Sequence, residues 1–227
     1  GNCIFLRRGA VPSSGPPKGK TLNEYTWEEI SYISSNGLAG EYGFQVGDAK
    51  AITLNGTVGS LALDNYQTYA YIIGINHNAE LEGNNLIHFQ FAKTAFSGGT
   101  DICFIDGQYL DNGSSAAFRM NTSSTNSGGW SSSYMRNNIC GTSKSTTSGR
   151  IMGAIPAELR NALKNVTKYT NNSGSSSASS AVTAITDYFF LLSEYEVFGN
   201  ISYANTYEAN YQQQYAYYSA GNSKVKY

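Results

Sequence analysis

Apolar residues at helical spacing first appear after residue 25. Trp27, Ile30 and Ile33 recur at three-residue steps, the period that lines one face of a helix. Thr26 and Glu29 form a capping box ahead of them, and Asn36-Gly37 supplies a stop, so the pattern predicts a helix near 26–35. Strand patterns follow. Ala51-Ile52-Thr53-Leu54, then Asn55-Gly56, then Thr57-Val58 reads as a hairpin, because Asn-Gly suits the two positive φ angles of a type I′ turn. Residues 66–75 form the longest strand candidate, with Tyr69, Tyr71, Ile73 and Ile75 on one face. Residues 86–93 alternate, with Ile87, Phe89 and Phe91 on one side and His88 and Gln90 on the other. The two segments are expected to pair antiparallel across the polar loop 76–85. A further buried strand is predicted over 101–106.

The second half mixes both periods. Met135 and Ile139 predict a helix over 131–140. Ile155-Pro156-Ala157-Glu158-Leu159 opens another, with proline at its first position. Residues 166–170 read as extended, 171–181 as a low-complexity Ser-rich loop, and 187–192 as a strand. Ser193 is placed to cap a short turn ending near Phe198. Three of the four prolines lie in the first 20 residues, which predicts an N-terminal tail or linker over 1–20 and a single domain over 21–227. The fold class expected is α+β, mostly antiparallel sheet with several short helices.

Composition narrows the function classes. Only 14% of residues are charged, against about 25% in ordinary globular domains, and the net charge is −1. No basic patch marks nucleic acid as a partner. The longest apolar run, 188–192, is far too short to span a membrane. Ser, Asn, Gly and Tyr dominate, with 24 Gly and 18 Tyr. Binding loops use the same palette, since Tyr gives contact area at low entropy cost and the small polar residues adapt their hydrogen bonds. The three cysteines, Cys3, Cys103 and Cys140, include no Cys-x-x-Cys pair. That argues against a disulfide framework or a structural zinc, although a Cys103–Cys140 bridge stays open.

Candidate chemistry is sparse. His77, Glu80 and Glu82 share the 76–85 loop and are the first choice for a divalent ion; the alternative is a plain polar loop. Asp106 and Asp111, with Asn112-Gly113, suggest a calcium loop, but not at the standard spacing; an Asx-type turn explains them equally well. No Gly-x-Ser-x-Gly elbow or phosphate-binding loop occurs. Asp101, Asp106, Glu194 and Glu196 are the carboxylates from which a glycosidase pair would have to come. The C-terminal tyrosines are more distinctive. Tyr203, Tyr207, Tyr211 and Tyr215 recur every four residues. In a helix they would form a slanted ridge, either at the margin of the core or, together with Trp130, as an aromatic platform for a ligand.

Several blocks, taken in order, resemble an uncharacterised domain family of Gram-positive gut bacteria and their prophages. They are Trp27, Gly47-Asp48-Ala49-Lys50, the 130–136 segment, Ile155-Pro156-Ala157-Glu158-Leu159, the 166–170 segment and the 187–199 segment. The resemblance covers about residues 21–227, and a more distant likeness points to C-type-lectin-like folds. It implies no catalytic residues. It implies a non-enzymatic recognition or structural module of a phage particle or bacterial surface protein, on an extracellular surface or virion, binding glycan or peptide. The alternatives are a cell-wall-active hydrolase and a purely architectural tail or fibre component. No cofactor is expected beyond the calcium weighed above. Family members continue past a segment like 215–221 into a Trp-Trp-Leu-Arg-Ser-Pro block and closing strands. The expectation is therefore a C-terminally truncated domain whose sheet edge a second chain, or another copy, would cover.

Overall fold

The computed structural model describes residues 14–59, 61–92 and 120–224. The first helix forms where the pattern puts it. α1 spans Trp27–Ser35 and buries Trp27, Ile30 and Ile33. The Thr26 side chain accepts from the Glu29 amide and the Glu29 carboxylate accepts from the Thr26 amide, closing the capping box. Thr26→Ala is expected to cost about 1 kcal/mol of stability in urea unfolding; a loss under a few tenths would show that the cap is idle.

Three strands build the main sheet, β1 (Ala49–Val58), β2 (Leu61–Ile75) and β3 (Ile87–Ala92), in the order β1-β2-β3 and antiparallel throughout. Asn55-Gly56 is not the hairpin turn. β1 runs on through it, Thr57 pairs with Ala62 and Val58 with Leu61, and the register slips between Leu54 and Gly56. The extra residue lies on β2, where Asn65 takes a φ of 47° and its amide donates to the Asn55 side chain at 2.8 Å. The Asn-Gly pair thus serves a bulge rather than a turn.

β2 is buried on both faces. Ala70 and Ile72 belong to the larger core, with α1, β1 and β3. Tyr71 and Ile73 face the other way, into a smaller cluster with Tyr215, Tyr217 and Tyr218. β3 keeps the alternation read from its sequence. Phe89 packs edge-on to Trp27 and Phe91 stacks near Phe189, while Gln90 accepts from the Tyr218 hydroxyl on the opposite side.

A second sheet pairs β4 (Val166–Asn171) with β5 (Val182–Asp187). Short helices surround both sheets: α2 (Ala79–Glu82), α3 (Ile151–Ala154), α4 (Ala157–Ala162), α5 (Glu194–Phe198) and α6 (Ala216–Ser219). The fold is α+β with antiparallel sheets. No helix among the described residues is long and apolar enough to cross a membrane.

Other expectations shift. The helix read over 131–140 is a π-helix confined to Met135–Cys140, though Met135 and Ile139 are buried as expected. Pro156 is the N-cap of α4 rather than its first residue. The strand read over 187–192 ends at Asp187, whose buried carboxylate accepts from the Trp130 indole at 3.0 Å and from Arg136 Nε at 2.8 Å. Beyond it the pairing with β4 stops at Val166, and Phe189 and Phe190 pack onto the large core. Part of the expected tail is docked. Gly15 and Pro16 are buried, and the Tyr42 and Tyr25 hydroxyls donate to the Pro16 and Pro17 carbonyls at 2.6 and 2.7 Å. Cys140 is a free, buried thiol, not a disulfide partner, and burial pushes its pKa up to about 12. The predicted 101–106 strand, with Asp101, Asp106, Asp111, Cys3 and Cys103, lies outside the described residues.

Candidate functional site

The 76–85 loop is held in an unusual backbone path. Asn76, Asn78 and Asn85 have φ values of 53°, 48° and 57°, a left-handed region that asparagine tolerates better than most residues. This path turns His77, Asn78 and Glu82 inward and leaves Glu80 exposed. Glu80 therefore takes no part in any inward constellation.

Inside, His77 and Glu82 meet residues from three distant segments. The Lys168 ammonium, on β4, lies 2.5 Å from Glu82 Oε1 and 2.5 Å from Glu196 Oε2 on α5. It also donates to the Tyr215 hydroxyl oxygen at 2.9 Å. Having accepted that bond, the Tyr215 hydroxyl is left to donate to His88 Nδ1, also at 2.9 Å, so the network puts the His88 ring proton on Nε2. His77 stacks on the Tyr215 ring with centroids 3.6 Å apart. Asn78 completes the group by donating to Glu82 Oε2 at 2.9 Å and to the Tyr211 carbonyl at 2.8 Å. The Ser193 cap foreseen in the sequence is what delivers Glu196: Glu196 Oε1 accepts from the Ser193 amide at 3.0 Å while Oε2 faces Lys168.

The electrostatics follow from burial and from one cation between two acids. Burial opposes the Lys168 charge, but Glu196, Tyr215 and Glu82 outweigh it and hold its pKa above the ordinary value. Burial raises Tyr215 and Glu82. Burial, then the Lys168 charge, lowers His77 to about 4 and His88 to about 3. Both histidines are thus neutral at pH 7. The 3.6 Å approach of His77 Nε2 to Glu82 Oε2 is accordingly neither an ion pair nor a hydrogen bond.

These signs predict a two-sided pH profile. Unfolded histidines take up protons below pH 6.5 and the buried rings do not, so stability falls between pH 6.5 and about 4 for His77, and further to about 3 for His88. Glu82, raised in the fold, offsets part of this on the acid side. Above pH 10.0 the unfolded chain loses protons that folded Tyr215 and Lys168 keep, so stability falls there too. Urea midpoints from pH 3 to 11 should form a plateau near neutrality with losses on the order of a few kcal/mol at each end. A flat profile would contradict the assigned charge states.

The arrangement limits the chemistry. The ligand atoms of His77, Glu82 and Glu196 lie within 4.8 Å of one another and could, by count, hold a metal ion. The Lys168 ammonium, however, stands against an oxygen of each carboxylate, where such an ion would sit. Two carboxylates already sharing a lysine also fall well short of the six to eight oxygens calcium takes. Lys168 is held protonated between its two acids and donates to Glu196 and Tyr215, so it is neither nucleophile nor base. Glu194, the other helix carboxylate, accepts from the Ser202, Tyr203 and Ala204 amides at 2.7 to 3.3 Å, which lower its pKa. Glu194 and Glu196 are thus both engaged in structural roles. A cavity of about 870 Å³ is lined by Trp27, Phe89, Phe91, Leu163 and Phe190, with His88 and Lys168 also in its wall.

The tyrosine array is divided between inside and outside. Residues 203–218 do not form one helix; a 3₁₀ turn, Thr206–Asn210, is separated from α6 by an irregular stretch. Tyr215 is buried, as is Trp130 beneath Asp187, so neither ring is available at the surface. Tyr203, Tyr207 and Tyr211 are exposed by 97%, 44% and 39%. Their backbone is pinned from below. Glu194 holds the Tyr203 amide, and Asn205 accepts from the Tyr207 amide while donating to the Ser176 and Ala178 carbonyls. Tyr211 stacks on Tyr169 with centroids 4.6 Å apart. Buried Glu208 accepts from the Asn171 amide at 2.8 Å.

Comparison with family models, with curated proteins and with solved structures finds no match in any of the three.

Proposed function

We propose that the protein is a non-enzymatic recognition module and that the segment bearing Tyr203, Tyr207 and Tyr211 is its ligand-facing surface. One observation carries this reading: three exposed aromatic rings sit on a backbone fixed by the side chains of Glu194 and buried Asn205. Exposed rings add little to the fold, and a fixed backbone lowers the entropy lost when they engage a partner. The buried charged cluster supports the same reading, because its acids, lysine and tyrosine are spent on one another. The family resemblance favours a bacterial surface or phage particle as the setting, and C-type-lectin-like kinship fits a domain that displays loops on a mixed scaffold.

The test is an array carrying both oligosaccharides and peptides, probed with the full chain and with Tyr203→Ala, Tyr207→Ala and Tyr211→Ala. Each ring that anchors a ligand should cost roughly 1–2 kcal/mol or more of binding on truncation, in variants that circular dichroism shows to be folded. Equal binding by the triple variant, or cleavage of a probe by the unmodified chain, would refute the proposal.

A further inference from the structure

We infer that the ligand of this surface is a neutral glycan, an assignment that rests on the recognition reading above and narrows it. The argument is one of charge and shape. From Phe198 to Ser223 the sequence holds a single ionisable acid or base other than tyrosine, Glu208, and it is buried. The 171–181 loop, tied to this segment by the Asn205 side chain, contains none. Glu194, outside both segments, keeps its charge and turns its carboxylate onto the Ser202, Tyr203 and Ala204 amides. A ligand lying on these two segments therefore meets no formal charge from them.

That excludes the chemistry by which polyanions are held. Nucleic acids, anionic lipids and phosphorylated peptides need lysine or arginine at the contact, and neither segment supplies one before Lys224. Extended peptides are usually captured by strand addition or in an apolar groove, whereas this segment is a 3₁₀ turn flanked by irregular backbone. What it does offer is flat rings together with exposed amides. Asn200, Asn210 and Gln213 face solvent among the three tyrosines. Their neighbours Asn205, Gln212 and Gln214 are engaged inward on the Ser176, Tyr169 and Val197 carbonyls. Rings can stack on the apolar C–H face of a pyranose. Side-chain amides, each with a donor and an acceptor group, match its neutral hydroxyls.

The experiment uses the full chain on immobilised chito-, cello-, manno- and galacto-oligosaccharides, beside sialylated and sulfated glycans and short peptides. Binding should appear on one or more neutral glycans and change less than twofold between 50 and 500 mM NaCl, since an uncharged glycan offers no ion pair for salt to screen. It should fall tenfold or more in Tyr207→Ala and Tyr211→Ala, with near-ultraviolet circular dichroism reporting that each variant is folded. Tyr203→Phe, which keeps the ring, should retain more binding than Tyr203→Ala. Binding confined to sialylated or sulfated glycans, or weakened steeply by salt, would overturn the inference. Tyrosine-dependent binding confined to peptides would overturn the glycan assignment and leave the recognition reading standing. Binding to none of the probes, or binding indifferent to the tyrosines, would count against both.

Discussion

Lys168→Met is expected to destabilise the protein by about 3–5 kcal/mol, the usual consequence of removing one partner from a buried ion pair. Here the loss falls on two acids at once, because Glu82 and Glu196 both lean on the same ammonium. Tyr215 also loses a donor and is left with only its bond to His88. Methionine nearly fills the space of the lysine stem, so the effect reports charge rather than a void. Urea unfolding at pH 7 measures it. Adding Glu82→Gln to Lys168→Met should recover part of the loss, since a neutral amide needs no counter-charge. A single-variant loss below 1 kcal/mol would show that the cluster is not what joins β4, α5 and the C-terminal segment.

Gly174→Ala should cost about 3 kcal/mol or more, enough to prevent folding if the native margin is small. A methyl group at that position would come within 1.9 Å of the Asn126 carbonyl oxygen, on a backbone with φ of 88°. Gly129, facing the other way across the same contact, would put a Cβ 2.1 Å from the Asn171 carbonyl oxygen. The two turns interlock, backbone against backbone, and neither has room for a side chain. Gly221 is the control. Its φ is 90°, yet nothing lies within 4 Å of a Cβ there, so Gly221→Ala should cost only the left-handed term, about 1–2 kcal/mol. Equal losses at the two sites would dispose of the interlock.

What could be read from the sequence was whatever depends on near neighbours. α1 with its capping box, the two faces of β3, and the Ser193 cap are all set by residues within four of one another. The Ser-rich loop over 171–181 is a loop, but its internal order was not legible. Its composition names no conformation, whereas Asn171 orders it by accepting from the Ser173 and Gly174 amides and donating to the Gly174 and Ser176 carbonyls. Lys168 was invisible because a lysine in an alternating strand reads as solvent-facing. It turns inward only because Glu82 and Glu196, from remote segments, are there to meet it. His77 and Glu82, candidate ligands by their place in the loop, do converge, but beside a lysine. Glu80, their neighbour in sequence, points away. The four-residue tyrosine period failed as a helix because Glu208 and Gln212, between the rings, are buried and carry their own inward hydrogen bonds.

Because β2 is covered on its second face by Tyr215, Tyr217 and Tyr218, its longest partnership spans most of the chain. A ribosome would release β2 long before the tyrosines that shelter it, leaving Tyr71 and Ile73 to wait uncovered. Contacts of such range slow folding, and a nascent chain in that interval is open to aggregation or to a chaperone. Refolding from denaturant should therefore show the histidine–tyrosine stack forming late, after α1 and the first hairpin are in place.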